Sequence, residues 1–222
     1  MCSRRRRCAG STNRTLRSLL DCRLYGILDL SYITAAESSI AAEAMIEGGV
    51  DVIQLRGKES SINELAALAG KLHKITARAS VPLIVNDHAL IAAQVPVEGV
   101  HVGQDDDPIR LVRETAGRVV LVGNSTHSLD QARAAQEEGA DYIGFGPIFA
   151  TPTKPDYPPI GLKGIKRVYD EVDLPIFCIG GINLDNLQSV IDAGAKRVVM
   201  VSGLLRARNL VEYARCVTDM LA

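Results

Sequence analysis

Two short aliphatic runs in this chain end abruptly in acid. Leu83-Ile84-Val85 delivers Asn86-Asp87, and Gly99-Val100-His101-Val102 leads to Gln104 and Asp105-Asp106-Asp107. Runs this short and this aliphatic read as buried parallel strands, and in parallel α/β folds the C-terminal ends of neighbouring strands lie side by side. Carboxylates from the two tips can therefore share one hard, oxygen-seeking cation, and Mg²⁺ is the first chemistry the pattern offers. The same residue types also N-cap helices. Asp107, just before Pro108, is the natural cap of the helix after it, and Asn86 can cap the helix before that. Asp87, Asp105 and Asp106 are then surplus to capping.

Other apolar runs end in polar residues too. In Gln54-Leu55-Arg56-Gly57-Lys58 the strand alternation sends Gln54 and Arg56 to one side, with Lys58 in the loop above. Two cations beside two acids are either surface ion pairs or half of an anion site, but a polar side chain inside a barrel strand needs a partner. Gly123-Asn124-Ser125-Thr126-His127 closes the fifth run. The proline-rich stretch from Gly146 to Ile160 is too long for an ordinary connection. Its Thr151-Pro152-Thr153-Lys154 offers hydroxyls and an ammonium, as a phosphate-binding loop or as stiffened surface. Gly180-Gly181-Ile182 and Val201-Ser202-Gly203 end the last two runs, where such barrels bind phosphate, although a tight turn and a cap explain them equally. Together the tips suggest two anion pockets: Mg²⁺ with Arg56, Lys58 and Lys154 for a diphosphate, and a metal-free pocket for a monophosphate. That pairing implies a transferase acting on two phosphorylated small molecules.

The elements that must position these tips repeat. A helical pattern closes on Gly and an aliphatic strand follows, as at Glu47-Gly48-Gly49-Val50-Asp51, Glu98-Gly99, Glu138-Gly139-Ala140-Asp141 and Ala193-Gly194-Ala195-Lys196. Strands are expected near 24–29, 51–56, 82–85, 99–103, 118–123, 141–146, 175–179 and 197–201. Helices are clearest over 38–47, 63–79, 129–138, 164–171, 185–193 and 208–221. Eight βα units with no linker predict an α/β fold, a single-domain (β/α)8 TIM barrel over 24–222. A doubly wound open sheet is the runner-up, but no GxGxxG follows any strand.

The formal charge of −1 hides an asymmetry. Arg4, Arg5, Arg6, Arg7, Arg14, Arg17 and Arg23 face only Asp21 in the first 23 residues; removing them from the 25 basic and 26 acidic groups leaves 18 and 25, a formal −7. Such a body is a poor nucleic-acid binder, and Trp is absent. No apolar run approaches a bilayer span, so no membrane partner is expected. Residues 1–23 read as a basic, disordered extension. They resemble an organelle transit segment in composition, but a cytoplasmic location is the expectation. Five cysteines without CxxC spacing indicate free thiols in a reducing compartment, with Cys178 a small core residue. His73 reads as solvated and His101 as a core residue; the oligomeric state stays open.

The motifs QLRGK at 54–58, ND at 86–87, HVGQDD at 101–106, NSTH at 124–127, TPTK at 151–154, GGI at 180–182 and VS at 201–202 resemble, in order, those of the thiamine-phosphate synthase family. The resemblance implies condensation of hydroxymethylpyrimidine diphosphate with a carboxythiazole or hydroxyethylthiazole phosphate, giving thiamine phosphate and diphosphate. In the family, diphosphate departure generates a pyrimidine carbocation that the thiazole nitrogen captures. It implies that Gln54 holds the pyrimidine, within a binding stretch that includes Leu55 and Gly57. Arg56, Lys58, Asn86, Ser125 and Lys154 would hold the diphosphate, with Arg56, Lys58, Ser125 and Lys154 as the catalytic set. Asp87 and Asp106 would bind one Mg²⁺. Thr151, Pro152 and Thr153 would meet the thiazole carboxylate or phosphate, and Gly181, Val201 and Ser202 the thiazole phosphate. His88 and Leu90 depart from the family's usual Arg and Asp. A thiazole tautomerase using His127 as base, or a non-catalytic thiazole-phosphate-binding regulator, are the rivals on the same fold.

Overall fold

The structure, a computed structural model, describes residues 19–151 and 157–222. Eight strands alternate with helices: β1 (Leu24–Asp29), α1 (Ser38–Glu47), β2 (Val52–Arg56), α2 (Ile62–Arg78), β3 (Leu83–Asn86), α3 (Ala89–Gln94), β4 (Gly99–Val102), α4 (Ile109–Ala116), β5 (Leu121–Thr126), α5 (Leu129–Glu137), β6 (Tyr142–Phe145), α6 (Ile165–Glu171), β7 (Ile176–Cys178), α7 (Leu187–Asp192), β8 (Val198–Met200), a short α8 (Ser202–Leu205) and α9 (Leu210–Leu221). The strands are parallel and close in sequence order, β1 through β8 and back to β1. The expected (β/α)8 barrel is thus present, and the open-sheet alternative is excluded. Among the described residues no helix is long and apolar enough to cross a membrane.

Closure explains the strand composition, because each strand faces the lumen on one side and the helices on the other. Every residue of β1 and β2 is buried. Leu24, Leu28, Ile53, Leu55, Val85, Val100, Val122, Ile143, Cys178 and Val198 belong to the outer core under the helices. Tyr25, Ile27, Val52, Ile84, Leu121, Tyr142, Phe177 and Val199 form a separate cluster inside the barrel. Cys178 is the core thiol expected; burial pushes its pKa up to about 12.

Three expectations shift. Leu19 and Cys22 join the cluster inside the barrel, so the folded body reaches back past Leu24; residues 1–18 lie outside the described ones. The fifth strand, expected at 118–123, runs Leu121–Thr126. Arg118 donates to the carbonyls of Ala92, Val95 and Val97, while Asn124, Ser125 and Thr126 pair with β6. Polar residues that sequence places in a loop therefore extend the ladder. Gly139 and Gly194, at φ 85° and 102°, end their helices as expected. Gly99 instead opens β4, where a Cβ would fall 2.7 Å from the Leu121 carbonyl oxygen.

Candidate active site

A cavity opens at the C-terminal mouth of the barrel. Its floor includes Tyr25, Gln54, Tyr142 and Phe177, its wall Arg56, Asn86, His101 and Ser125, and its rim Thr151, Gly181, Val201 and Ser202. Eight residues singled out from the sequence, Gln54, Arg56, Asn86, Ser125, Thr151, Gly181, Val201 and Ser202, are brought together here. Leu55 is not among them, because period two turns it outward into the helical core. Gly57 is buried, with Leu30 and Leu65 crowding any Cβ, and Lys58 stands exposed outside the cavity lining. Pro152, Thr153 and Lys154 lie outside the described residues.

Arg56 is held from beside it. Asp29 is its register partner on β1, is 1% exposed, and accepts a hydrogen bond from the Arg56 guanidinium through Oδ2. Ser31 occupies the other oxygen, donating from its backbone N–H (3.0 Å) and its hydroxyl (2.8 Å). A carboxylate satisfied in this way fixes the guanidinium fork, a geometry suited to phosphate oxygens. Sequence reasoning missed Asp29, although its lumen-facing place at a strand end was a usable signal.

The floor carries a continuous polar chain. Gln54 Nε2 lies 2.8 Å from the Tyr25 hydroxyl, which lies 3.2 Å from that of Tyr142. The Tyr142 hydroxyl meets His101 Nδ1 at 3.2 Å, and His101 Nε2 meets Ser125 Oγ at 3.0 Å. Burial pushes both phenols well above their ordinary pKa, so both stay protonated. Neither tyrosine was anticipated. His101, expected in the core, faces the cavity because it alternates with outward Val100 and Val102.

The two acidic tips are shaped differently from the sequence expectation. Asn86 does not cap α3, because it is still in the sheet, paired with His101. Asp87 sits at φ 63°, with the His88 amide bonded back to the Asn86 carbonyl at 2.8 Å in a γ-turn. Its own amide donates to the His101 carbonyl at 2.8 Å, which ties the turn to β4. A left-handed non-glycine residue costs on the order of 1–3 kcal/mol and persists where the surroundings impose it, commonly at functional sites. Asp107 does not cap α4 either: Pro108 occupies the N-cap position without a side-chain bond. Asp106 Oδ2 accepts the Gly103 amide at 2.6 Å, folding the loop back toward β4. Asp105 receives the Tyr157 hydroxyl at 3.3 Å. Among the described residues no group of three or more His, Cys, Asp or Glu is arranged to hold a metal ion. Asp87 and Asp106 stand on the adjacent β3 and β4 tips, outside the cavity lining; Mg²⁺ commonly takes one or two carboxylates and fills its remaining positions with water and substrate phosphate.

The β7 tip serves first as a seat for the loop after β6. Ile148 and Phe149 donate to the carbonyls of Ile179 (2.8 Å) and Gly180 (3.0 Å). A Cβ on Gly180, at φ 103°, would fall 2.4 Å from that of Pro147, so the glycine permits this approach. Gly181, Val201 and Ser202 still line the cavity, with Ser202 opening α8. His127, the base a tautomerase would need, has Nδ1 hydrogen-bonded to the Gly146 carbonyl and its ring 4.5 Å from that of Tyr157.

Comparison with known proteins agrees with this geometry. The profile of the family described as thiamine monophosphate synthase matches residues 24–204. A thiamine-phosphate synthase of Chloroflexus aurantiacus is 43% identical over 198 residues, covering 89% of this chain and 91% of that protein. One from Halalkalibacterium halodurans is 41% identical over 191 residues, covering 86% and 90%. Among solved structures, thiamine phosphate pyrophosphorylase from Pyrococcus furiosus superposes with a TM-score of 0.83 at 28% identity, over 93% of this chain and 97% of that one.

Proposed function

Since the chain belongs to the thiamine monophosphate synthase family, a transferase family of thiamine biosynthesis acting on small molecules, we propose that its barrel mouth condenses hydroxymethylpyrimidine diphosphate with a hydroxyethylthiazole phosphate, with or without a ring carboxylate. The observation that carries this reading is the single cavity shared by Gln54, Arg56, Asn86 and Ser125 on one side and Gly181, Val201 and Ser202 on the other. One side suits a diphosphate ester and its ring, the other a phosphomonoester, and their reacting ends meet between.

Gln54 orients the pyrimidine, and Ser125, expected among the diphosphate ligands, is read with it because His101 Nε2 ties its hydroxyl to the same polar chain as Gln54. Arg56, steadied by Asp29, donates to the diphosphate together with Asn86, with Lys58 and Lys154 as further cations from the flanking loops. Asp87 and Asp106 would hold the Mg²⁺, whose charge would stabilise a diphosphate leaving group. Thr151 and Thr153 meet the thiazole, while Gly181, Val201 and Ser202 bind its phosphate through backbone N–H groups and a hydroxyl. The cation left on the pyrimidine methylene is then captured by the thiazole nitrogen. Ile27, Phe177, Ile179 and Val199 line the cavity and limit the water that would compete for it. No proton is removed in the bond-forming step, so no general base is assigned.

Five cysteines without CxxC spacing favour a reducing, cytoplasmic setting. The test is incubation of purified protein with both phosphorylated heterocycles and Mg²⁺. Thiamine phosphate and diphosphate should appear in equal amounts and cease on chelation; binding of the thiazole phosphate with no condensation would overturn the reading.

A further inference from the structure

The polar chain across the barrel floor has a property that its separate bonds do not. It links five side chains from β2, β1, β6, β4 and β5, in the order Gln54, Tyr25, Tyr142, His101, Ser125, and each interior member carries one proton to pass along. If the Gln54 amide nitrogen donates to Tyr25, the arrangement in which every member passes its proton on has Tyr25 donating to Tyr142, Tyr142 to His101 Nδ1, and His101 Nε2–H to Ser125. The Ser125 proton is then released toward the cavity. The amide oxygen of Gln54 accepts nothing from the described residues, and the one buried, unpartnered side-chain polar atom among them is Arg197 Nε. That oxygen therefore faces open space, where Gln54 lines the cavity. Reversing every link would exchange the roles at both ends together.

We propose that Tyr25 and Tyr142 are positioning residues that, through this wire, hold Gln54 and Ser125 in opposite hydrogen-bonding senses, so that the cavity reads a ring carrying one donor and one acceptor. In the sense that begins with the Gln54 donation, Gln54 offers an acceptor and Ser125 a donor. An aminopyrimidine complements this with its exocyclic amine and a ring nitrogen. The inference rests on the pyrimidine reading given above and deepens it: selectivity for the amine comes from two phenols that need not touch the ligand.

Phenylalanine at either position removes a link and keeps the ring packing, in which Tyr25 and Tyr142 stand edge-on to Phe177 at 5.4 and 5.8 Å. The experiment compares the full-length chain with Tyr25→Phe and Tyr142→Phe, using the aminopyrimidine diphosphate and an analogue with hydrogen in place of the amine. The wild type should show a KM roughly tenfold higher for the analogue, the scale of one buried hydrogen bond. Each variant should raise the KM of the amino substrate toward that of the analogue, leaving the analogue's KM and that of the thiazole phosphate within about twofold. Undiminished discrimination in both variants would overturn the wire, as would parallel losses on the two pyrimidines, which mark a merely structural role. Absence of thiamine phosphate from the wild type would instead overturn the functional reading on which the wire depends.

Discussion

The two ends of this barrel use the same residue types for different purposes. At the N-terminal end three acids are answered by the backbone of a neighbouring strand. Asp51, just ahead of β2, accepts the amides of Arg23 (2.7 Å) and Leu24 (3.0 Å). Glu98, ahead of β4, accepts the Leu83 amide at 2.8 Å and meets His73 at 3.2 Å, so that histidine is partnered rather than simply solvated. Asp141, ahead of β6, accepts the Val122 amide at 2.7 Å and Arg113 at 2.8 Å. Arg113 also donates to the carbonyls of Val120 and Gly139, and Arg23 to those of Leu221 and Ala222. At the C-terminal end the polar groups line a cavity, one carboxylate sits on a left-handed residue, and the buried pair Asp29–Arg56 steadies a guanidinium beside open space. In a parallel barrel the start of a strand is where charge staples the fold, and its end is where charge is kept for a ligand.

This contrast can be tested by substitution at both ends. The largest effect is expected at Asp87. Asp87→Gly should lower metal-dependent kcat by about a thousandfold or more. Because glycine accepts a φ of 63° without strain, it should leave the melting temperature unchanged or raise it. A parallel loss of stability and activity would move Asp87 into the structural class. Arg56→Ala should reduce kcat/KM by roughly a hundred- to a thousandfold. It should also destabilise, since Asp29 is left buried without its cation; urea unfolding alongside steady-state kinetics separates the two. At the other end, Asp141→Ala should cost about 1–3 kcal/mol in urea unfolding, the scale of a lost buried partner, with kcat/KM unchanged below the transition. Smallest is Ser202→Ala, which should raise the KM of the thiazole phosphate severalfold, about 0.5–1.5 kcal/mol, with kcat intact.

The same contrast explains how much the sequence could tell. Most strand ends were legible because Gln54, Arg56, Asp87 and Ser202 interrupt or close aliphatic runs; Ser125, expected beyond the fifth strand, lies within β5. The barrel followed from eight such runs separated by helical patterns. The stapling acids were not legible, since Asp51, Glu98 and Asp141 stand in short loops where nothing local distinguishes a solvated carboxylate from one gripping the next strand. The caps assigned to Asn86 and Asp107 failed for a related reason: Asn86 stays in the ladder and Pro108 takes the cap position, outcomes set by strand register and backbone geometry. Tyr25 and Tyr142 were not singled out and His101 was assigned to the core because an aromatic residue in a buried strand reads as core, and only the closed lumen brings their polar atoms together.

The central claim, that the mouth gathers one cation and one diphosphate between the β2, β3 and β4 tips, is tested most directly by a crystal structure with Mn²⁺ in place of Mg²⁺ and inorganic diphosphate. Anomalous scattering should locate the ion on Asp87 and Asp106, with the diphosphate bridging it to Arg56. An ion bound instead among Asp51, Glu98 or Asp141, or a diphosphate that leaves Arg56 untouched, would contradict the account.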